Sequence, residues 1–134
     1  MKTIKVSEAT ELQLDWLVAK YKKVRTYVRP YEHTMTGLCI LDADLVDMET
    51  DDAQELRYSR DWAQGGQILE SENISVGYQG HLGVPLDSLW YATNRVDACG
   101  FGQKPLTAVL RCFCCSKLGD VVDIPEELCQ QQSN

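Results

Sequence analysis

Histidine is scarce in this chain of 134 residues, which has only His33 and His81. That scarcity excludes an HExxH motif and the histidine-rich ligand sets of zinc hydrolases. A Gly-x-Ser-x-Gly nucleophile elbow and the Walker spacing of a phosphate-binding loop are also missing. We therefore expect neither a metal nor a cofactor nor a catalytic residue, and an enzyme is the least favoured function.

Long apolar segments are missing as well. No run approaches the roughly 20 apolar residues that a membrane-spanning helix needs, and the first residues lack the apolar stretch of a secretory signal. Three of the six cysteines crowd into Cys112–Cys115, and a chain of this length can build a core without disulfides. We expect a cytoplasmic protein that makes no membrane contact, with reduced thiols serving as small buried apolar groups.

The charge balance is acidic, because 13 Lys and Arg stand against 20 Asp and Glu for a formal net charge of −7. Such a chain repels duplex nucleic acid, whereas a small anionic ligand needs only a few local donors. Residues 42–55 carry acidic side chains without a single Lys or Arg, which predicts a solvated acidic loop. An EF-hand is excluded because Asp52 stands where glycine is needed and Tyr58 where a glutamate is needed.

Two segments have apolar residues at helical spacing. The first predicts an N-terminal helix at about 8–21, capped by Ser7. The second, bounded by Pro105 and Gly119, predicts a C-terminal helix at about 105–118 that lies at the centre of the fold.

Strands are predicted where β-branched and aromatic residues cluster. Together with the helices they indicate one α+β domain over residues 1–134, with a small mixed or antiparallel sheet packed on the central C-terminal helix and the N-terminal helix. A flexible tail is expected at about 130–134. The predicted strands cover 24–28, 37–41, 89–92 and 121–124.

The most distinctive segment is Arg57-Tyr-Ser-Arg-Asp-Trp-Ala-Gln-Gly-Gly66. One interpretation is a recognition loop, in which aromatic rings stack on a planar ligand, guanidinium groups bind a phosphate or carboxylate, and the glycine pair lets the backbone approach. The other is a structural loop, in which Trp62 fills the core, Asp61 caps a turn and the glycines supply positive φ. The candidate ligand-binding residues are Arg57, Tyr58, Arg60, Asp61, Trp62, Gln64, Gly65 and Gly66.

Lys104 completes this candidate set. It closes the glycine-containing turn that starts at Gly100 and enters the C-terminal helix, where free backbone N–H groups and the helix dipole favour an anion. A plain turn is the alternative interpretation.

The chain also resembles the NinX-type proteins of tailed bacteriophages. The resemblance lies in Leu14-Asp-Trp-Leu-Val-Ala-Lys20, in Tyr58–Gly66 followed by Ile68-Leu-Glu70, and in 102–111 through Ser116-Lys-Leu-Gly-Asp120. It implies a phage accessory protein in the cytoplasm of a bacterial host and leaves the chemistry open. Two departures from the family are a longer, more acidic stretch at 30–56 and a lysine at 104, where a threonine cap is usual.

Three functions follow in order of preference. The first is a non-enzymatic binder that sequesters a small nucleotide-like or anionic ligand, for example a host immune signal. The second is an acidic protein-interaction module that docks on a host protein. The third is a small enzyme using Asp61 or a Cys–His pair. Self-association into a homo-oligomer is expected if the pocket forms between subunits.

Overall fold

A computed structural model of the chain describes residues 1–30, 38–43, 55–95 and 98–129. Most of the predicted acidic loop and the whole predicted tail lie outside these residues. The described part contains three α-helices and seven strands. The helices are α1 (Glu11–Tyr21), α2 (Trp62–Ser71) and α3 (Pro105–Leu118), and the strands are β1 (Lys2–Lys5), β2 (Thr26–Pro30), β3 (Leu38–Asp42), β4 (Ser75–Tyr78), β5 (Trp90–Thr93), β6 (Cys99–Gly102) and β7 (Val121–Ile124).

The strands form three small sheets, and every pairing is antiparallel. Strand β1 pairs with β7, β2 pairs with β3, and the third sheet has the order β4-β5-β6. The α+β class and the antiparallel pairing are confirmed, although the strands divide among three sheets instead of one. A two-stranded sheet is marginally stable alone, so the two smaller sheets depend on packing against other elements.

Helix α3 is central, as predicted, and packs against the three-stranded sheet, α1 and α2. Strand β6 lies directly on this helix at Gly100. A Cβ atom at Gly100 would lie 2.4 Å from the backbone oxygen of Ala108 and 2.5 Å from the backbone nitrogen of Cys112. The described cysteines are free thiols, and Cys112 and Cys114 are buried as expected, whereas Cys115 is partly exposed and Cys99 is exposed.

Helix α1 starts later than the predicted residue 8. Thr10 is its N-cap and forms a capping box with Gln13: Thr10 Oγ1 accepts from the Gln13 N–H at 3.3 Å, and Gln13 Oε1 accepts from the Thr10 N–H at 2.9 Å. The capping box satisfies the backbone N–H groups of Thr10 and Gln13, which the predicted cap Ser7 does not do. Residues Val6–Glu8 form a separate 3₁₀ turn.

Helix α2 was missed by the sequence patterns, which placed a loop at 57–66. Asp61 does act as a cap, since its Oδ1 accepts a hydrogen bond from the Ala63 N–H at 2.8 Å. Gly65 and Gly66 disfavour a helix by about 1 kcal/mol each, which is why the pair indicated a turn. Both glycines instead lie inside the helix, and neither has a positive φ.

No helix in the described ranges is long and apolar enough to cross a membrane.

Candidate functional site

The segment before α2 is held against α1 by a buried carboxylate. Asp15 lies in the middle of α1 with no exposed surface, and its Oδ1 accepts a hydrogen bond from the Ser59 N–H at 2.7 Å. The Ser59 hydroxyl in turn donates to the backbone oxygen of Glu11 at 3.2 Å. A buried carboxylate needs such partners, because leaving it unpaired costs several kcal/mol or more.

Arg60 lies among three carboxylates. Its Nη2 lies 3.4 Å from Asp15 Oδ2 and 3.4 Å from Glu55 Oε2, and its Nε lies 3.9 Å from Glu11 Oε2. The guanidinium group is therefore already engaged by the protein's own carboxylates, and it joins the ends of α1 and α2. A ligand anion would have to compete with these carboxylates for Arg60.

Burial raises the pKa of Asp15 from 3.8 to about 7. The hydrogen bond from the Ser59 N–H and the charge of Arg60 both oppose this rise, but desolvation is the larger effect. The pKa values of Tyr58 and Cys114 are also raised, first by burial and then by the nearby Asp15 carboxylate. The site thus contains a carboxyl group that changes its charge near neutral pH.

The N-terminal ends of the three helices meet at this site. Lys104, the N-cap of α3, places its Nζ 3.2 Å from Glu11 Oε1, and Glu11 is the first residue of α1. Helix α2 packs against the first turn of α3 at Gly65, where a Cβ atom would lie 3.0 Å from Leu106 Cδ2. Because each N-terminus carries a partial positive charge, the Glu11 carboxylate is stabilised where it lies.

Several candidate residues have structural contacts. Tyr58 is buried and presents little of its ring to a ligand. Gln64 Oε1 accepts from the Arg57 N–H at 2.8 Å, and Gln64 Nε2 donates to the Glu55 backbone oxygen at 3.1 Å. Gly65 allows the close approach of Tyr58, whose backbone oxygen would lie only 2.1 Å from a Cβ at residue 65.

Trp62 does not fill the core, contrary to the structural-loop interpretation. It is the first residue of α2 and 54% exposed, and its ring lies beside Gly66 of the next turn. The side chain of Arg57 is 48% exposed and that of Lys104 is 62% exposed. These three side chains are the candidate residues that present a large surface to solvent.

The sequence patterns missed the acidic half of this site. Glu11, Asp15 and Glu55 provide the carboxylates that engage Arg60, and the sequence separates them by up to 44 residues. One signal was present: Asp15 lies inside the apolar run Leu14-Asp-Trp-Leu17, where a charged residue must find a partner. Among the described residues, no group of three His, Cys, Asp or Glu side chains is arranged to hold a metal ion.

Helix α3 begins without a side-chain cap, which gives a stability prediction. Lys104 has the extended backbone of an N-cap but no side-chain hydrogen bond to the helix, whereas a threonine hydroxyl would accept from a first-turn N–H. We expect Lys104→Thr to be about 1 kcal/mol more stable than Lys104→Ala, measured by urea denaturation. Both variants lose the exposed pair with Glu11, so their difference isolates the cap. Equal stability would show that α3 gains nothing from a cap.

The comparisons with known proteins agree with the resemblance noted in the sequence. No curated protein matches the chain. A family model described as bacteriophage P22, NinX matches residues 5–117. This match spans most of the chain, from the end of β1 to the last turn of α3, and it includes every residue of the site described above. The protein therefore belongs to the bacteriophage NinX family and is a phage accessory protein.

Proposed function

We propose that this phage accessory protein is a non-enzymatic binder of a small, planar, anionic ligand of nucleotide-like chemistry, which it sequesters in the bacterial cytoplasm. The observation that carries the proposal is the exposed indole of Trp62 at the start of α2. The indole offers a large and rigid aromatic face, and such a face is suited to stacking on a nucleobase. A host immune signal is one ligand of this class.

The cationic side chains of this site support an anionic ligand. Arg57 and Arg60 precede Trp62 in the chain, and Lys104 shares the Glu11 carboxylate with Arg60. A ligand phosphate that replaced this carboxylate would gain both cations and the positive end of the α3 dipole. The Glu11 side chain then acts as an internal anion that holds the cations in place until the ligand arrives.

Binding without turnover is favoured by the position of Asp61. The enzyme considered from the sequence would use Asp61 in catalysis, and Asp61 is the carboxylate nearest to Trp62 in the chain. Its Oδ1 instead accepts the Ala63 N–H as the N-cap of α2. The site thus offers stacking and charge recognition but commits this carboxylate to the fold.

Substitution of Trp62 tests the proposal. Nucleotides, cyclic nucleotides and adenosine-ribose derivatives are screened by thermal shift and calorimetry, and we expect at least one to bind the natural protein. Trp62→Ala should weaken that binding by roughly 5- to 150-fold, which corresponds to the loss of about 1–3 kcal/mol of stacking. The fold should be retained, because the indole is exposed.

Two further variants serve as controls. Trp62→Phe keeps an aromatic face and should retain most of the affinity. Glu11→Gln should increase the affinity for a phosphate-bearing ligand, because it frees Lys104 and removes one of the three carboxylates around Arg60. Binding that is unchanged in Trp62→Ala, or a screen in which no compound stabilises the protein, would contradict the proposed function.

A further inference from the structure

Strand β4 forms one edge of the three-stranded sheet. The order of that sheet is β4-β5-β6, and β4 pairs with β5 in the register Gly77 opposite Tyr91. Just past the strand, the Gln79 N–H donates to the Leu89 backbone oxygen at 2.8 Å. Hydrogen-bonded and non-hydrogen-bonded pairs alternate along an antiparallel ladder, so Val76 and Tyr78 direct their backbone N–H and C=O groups away from β5.

The four-residue edge strand carries none of the side chains that normally prevent edge pairing. Natural proteins protect exposed strands with lysine, proline, inward charges or bulges, yet β4 has the sequence Ser-Val-Gly-Tyr. The uncharged region is longer than the strand. Residues 73–86 contain no Asp, Glu, Lys or Arg, in a chain where 25% of residues are charged.

Large apolar side chains in the same region are exposed. Tyr78 is 60% exposed, and Leu82 and Leu86 in the following loop are also exposed. The Tyr78 ring is held by an edge-to-face contact with Trp90, with the ring centroids 5.1 Å apart. The edge therefore presents an ordered aromatic side chain next to free backbone groups, which favours strand addition.

The charge of the chain identifies the partner that fits this edge. A basic partner would be drawn to the acidic parts of a protein with net charge −7, and the uncharged edge gives it no electrostatic advantage. A second copy of the chain carries the same negative charge, so contact between two copies is favoured at a surface without charge. The region 73–86 is such a surface.

We propose that β4 pairs in antiparallel orientation with β4 of a second copy, so that two three-stranded sheets join into one continuous sheet across a two-fold axis at Gly77. Val76 of each copy then lies opposite Tyr78 of the other, and these residues exchange N–H···O bonds. The aromatic ring of Tyr78 packs on the branched side chain of Val76, a favourable cross-strand pair. This inference is independent of the ligand proposed for Trp62.

The oligomeric state of purified protein tests the interface. Native mass spectrometry and light scattering from micromolar to millimolar concentration should show a dimer for the natural chain. Tyr78→Lys places a charge on the edge strand and should weaken dimerisation by about tenfold or more. Val121→Lys adds the same charge at an exposed position of β7, which belongs to a different sheet, and should leave the dimer intact.

Hydrogen exchange of the natural protein gives a readout that does not depend on any variant. The amides of Val76 and Tyr78 should become protected as concentration rises, whereas the amides of the exposed residues Leu82 and Gly83 should not change. A monomer at all concentrations would overturn the inference. So would a dimer that Tyr78→Lys leaves unchanged, or one that forms without protecting the two amides.

Discussion

Gly65→Ala is expected to lower the free energy of unfolding by roughly 3–5 kcal/mol, or to prevent folding altogether. The added methyl group would lie 2.1 Å from the backbone oxygen of Tyr58 and 3.0 Å from Leu106 Cδ2. The first of these atoms belongs to the main chain and cannot rotate away. Relief therefore requires α2 to move off the 55–60 segment, which would break the contacts that Ser59 and Arg60 make with α1.

Gly66→Ala is the matched control. A methyl group there would meet only Trp62 Cε3 at 3.4 Å, an ordinary contact, and alanine is favoured over glycine inside a helix by about 1 kcal/mol. We expect Gly66→Ala to be as stable as the natural protein or more stable, as measured by urea denaturation followed by circular dichroism. If the two alanine variants lost equal stability, the close approach at Gly65 would not be the cause.

The same glycine pair shows why α2 could not be predicted from the sequence. Two adjacent glycines weaken a helix locally, and they indicated a turn with positive φ. The helix forms because Gly65 is the residue that lets α2 touch Tyr58 and Leu106, a contact that depends on segments distant in the chain. In contrast, α3 was predicted correctly, because Pro105 at its start and Gly119 after its end are local signals.

The candidate site was also predicted only where its residues are close together in the chain. The sequence singled out 57–66 from its composition, and the structure shows that one exposed aromatic ring, Trp62, emerges from it. Among the carboxylates that engage Arg60, Glu11 and Asp15 share one face of α1 at i, i+4 spacing. No spacing rule connects that pair to Glu55 or to Arg60. Helical periodicity located α1 and α3, although α1 starts at Glu11 and not at residue 8. The predicted burial is confirmed for Cys112 and Cys114.

The stability of the protein is expected to fall as the pH rises through the neutral range, because of Asp15. Its pKa is 3.8 when exposed and about 7 in the fold, and burial is the main cause. Between these values the folded state binds a proton that the unfolded state has lost, so folding is favoured at the lower pH. The contribution is complete below about pH 4 and is lost as the pH rises to about 7, with an upper limit of about 4 kcal/mol.

Asp15→Asn isolates this effect. Asparagine keeps an oxygen for the Ser59 N–H but cannot ionise. The variant therefore does not pay the cost of ionising a buried carboxyl group, which makes the natural protein less stable at pH 8 than at pH 5. The histidines and the other carboxylates are common to both proteins, and their contributions cancel in the difference. Urea denaturation at both pH values should therefore show the stability of the natural protein declining relative to Asp15→Asn as the pH rises.

The ion pair between Asp15 and Arg60 determines how large this decline is. The Asp15 Oδ2 atom lies 3.4 Å from Arg60 Nη2, and the attraction exists only when Asp15 is ionised, so it recovers part of the desolvation cost above neutral pH. Removing the cation with Arg60→Met should make the decline with pH steeper than in the natural protein. A decline of the same size in the natural protein, in Asp15→Asn and in Arg60→Met would show that Asp15 ionises in the fold as it does in water.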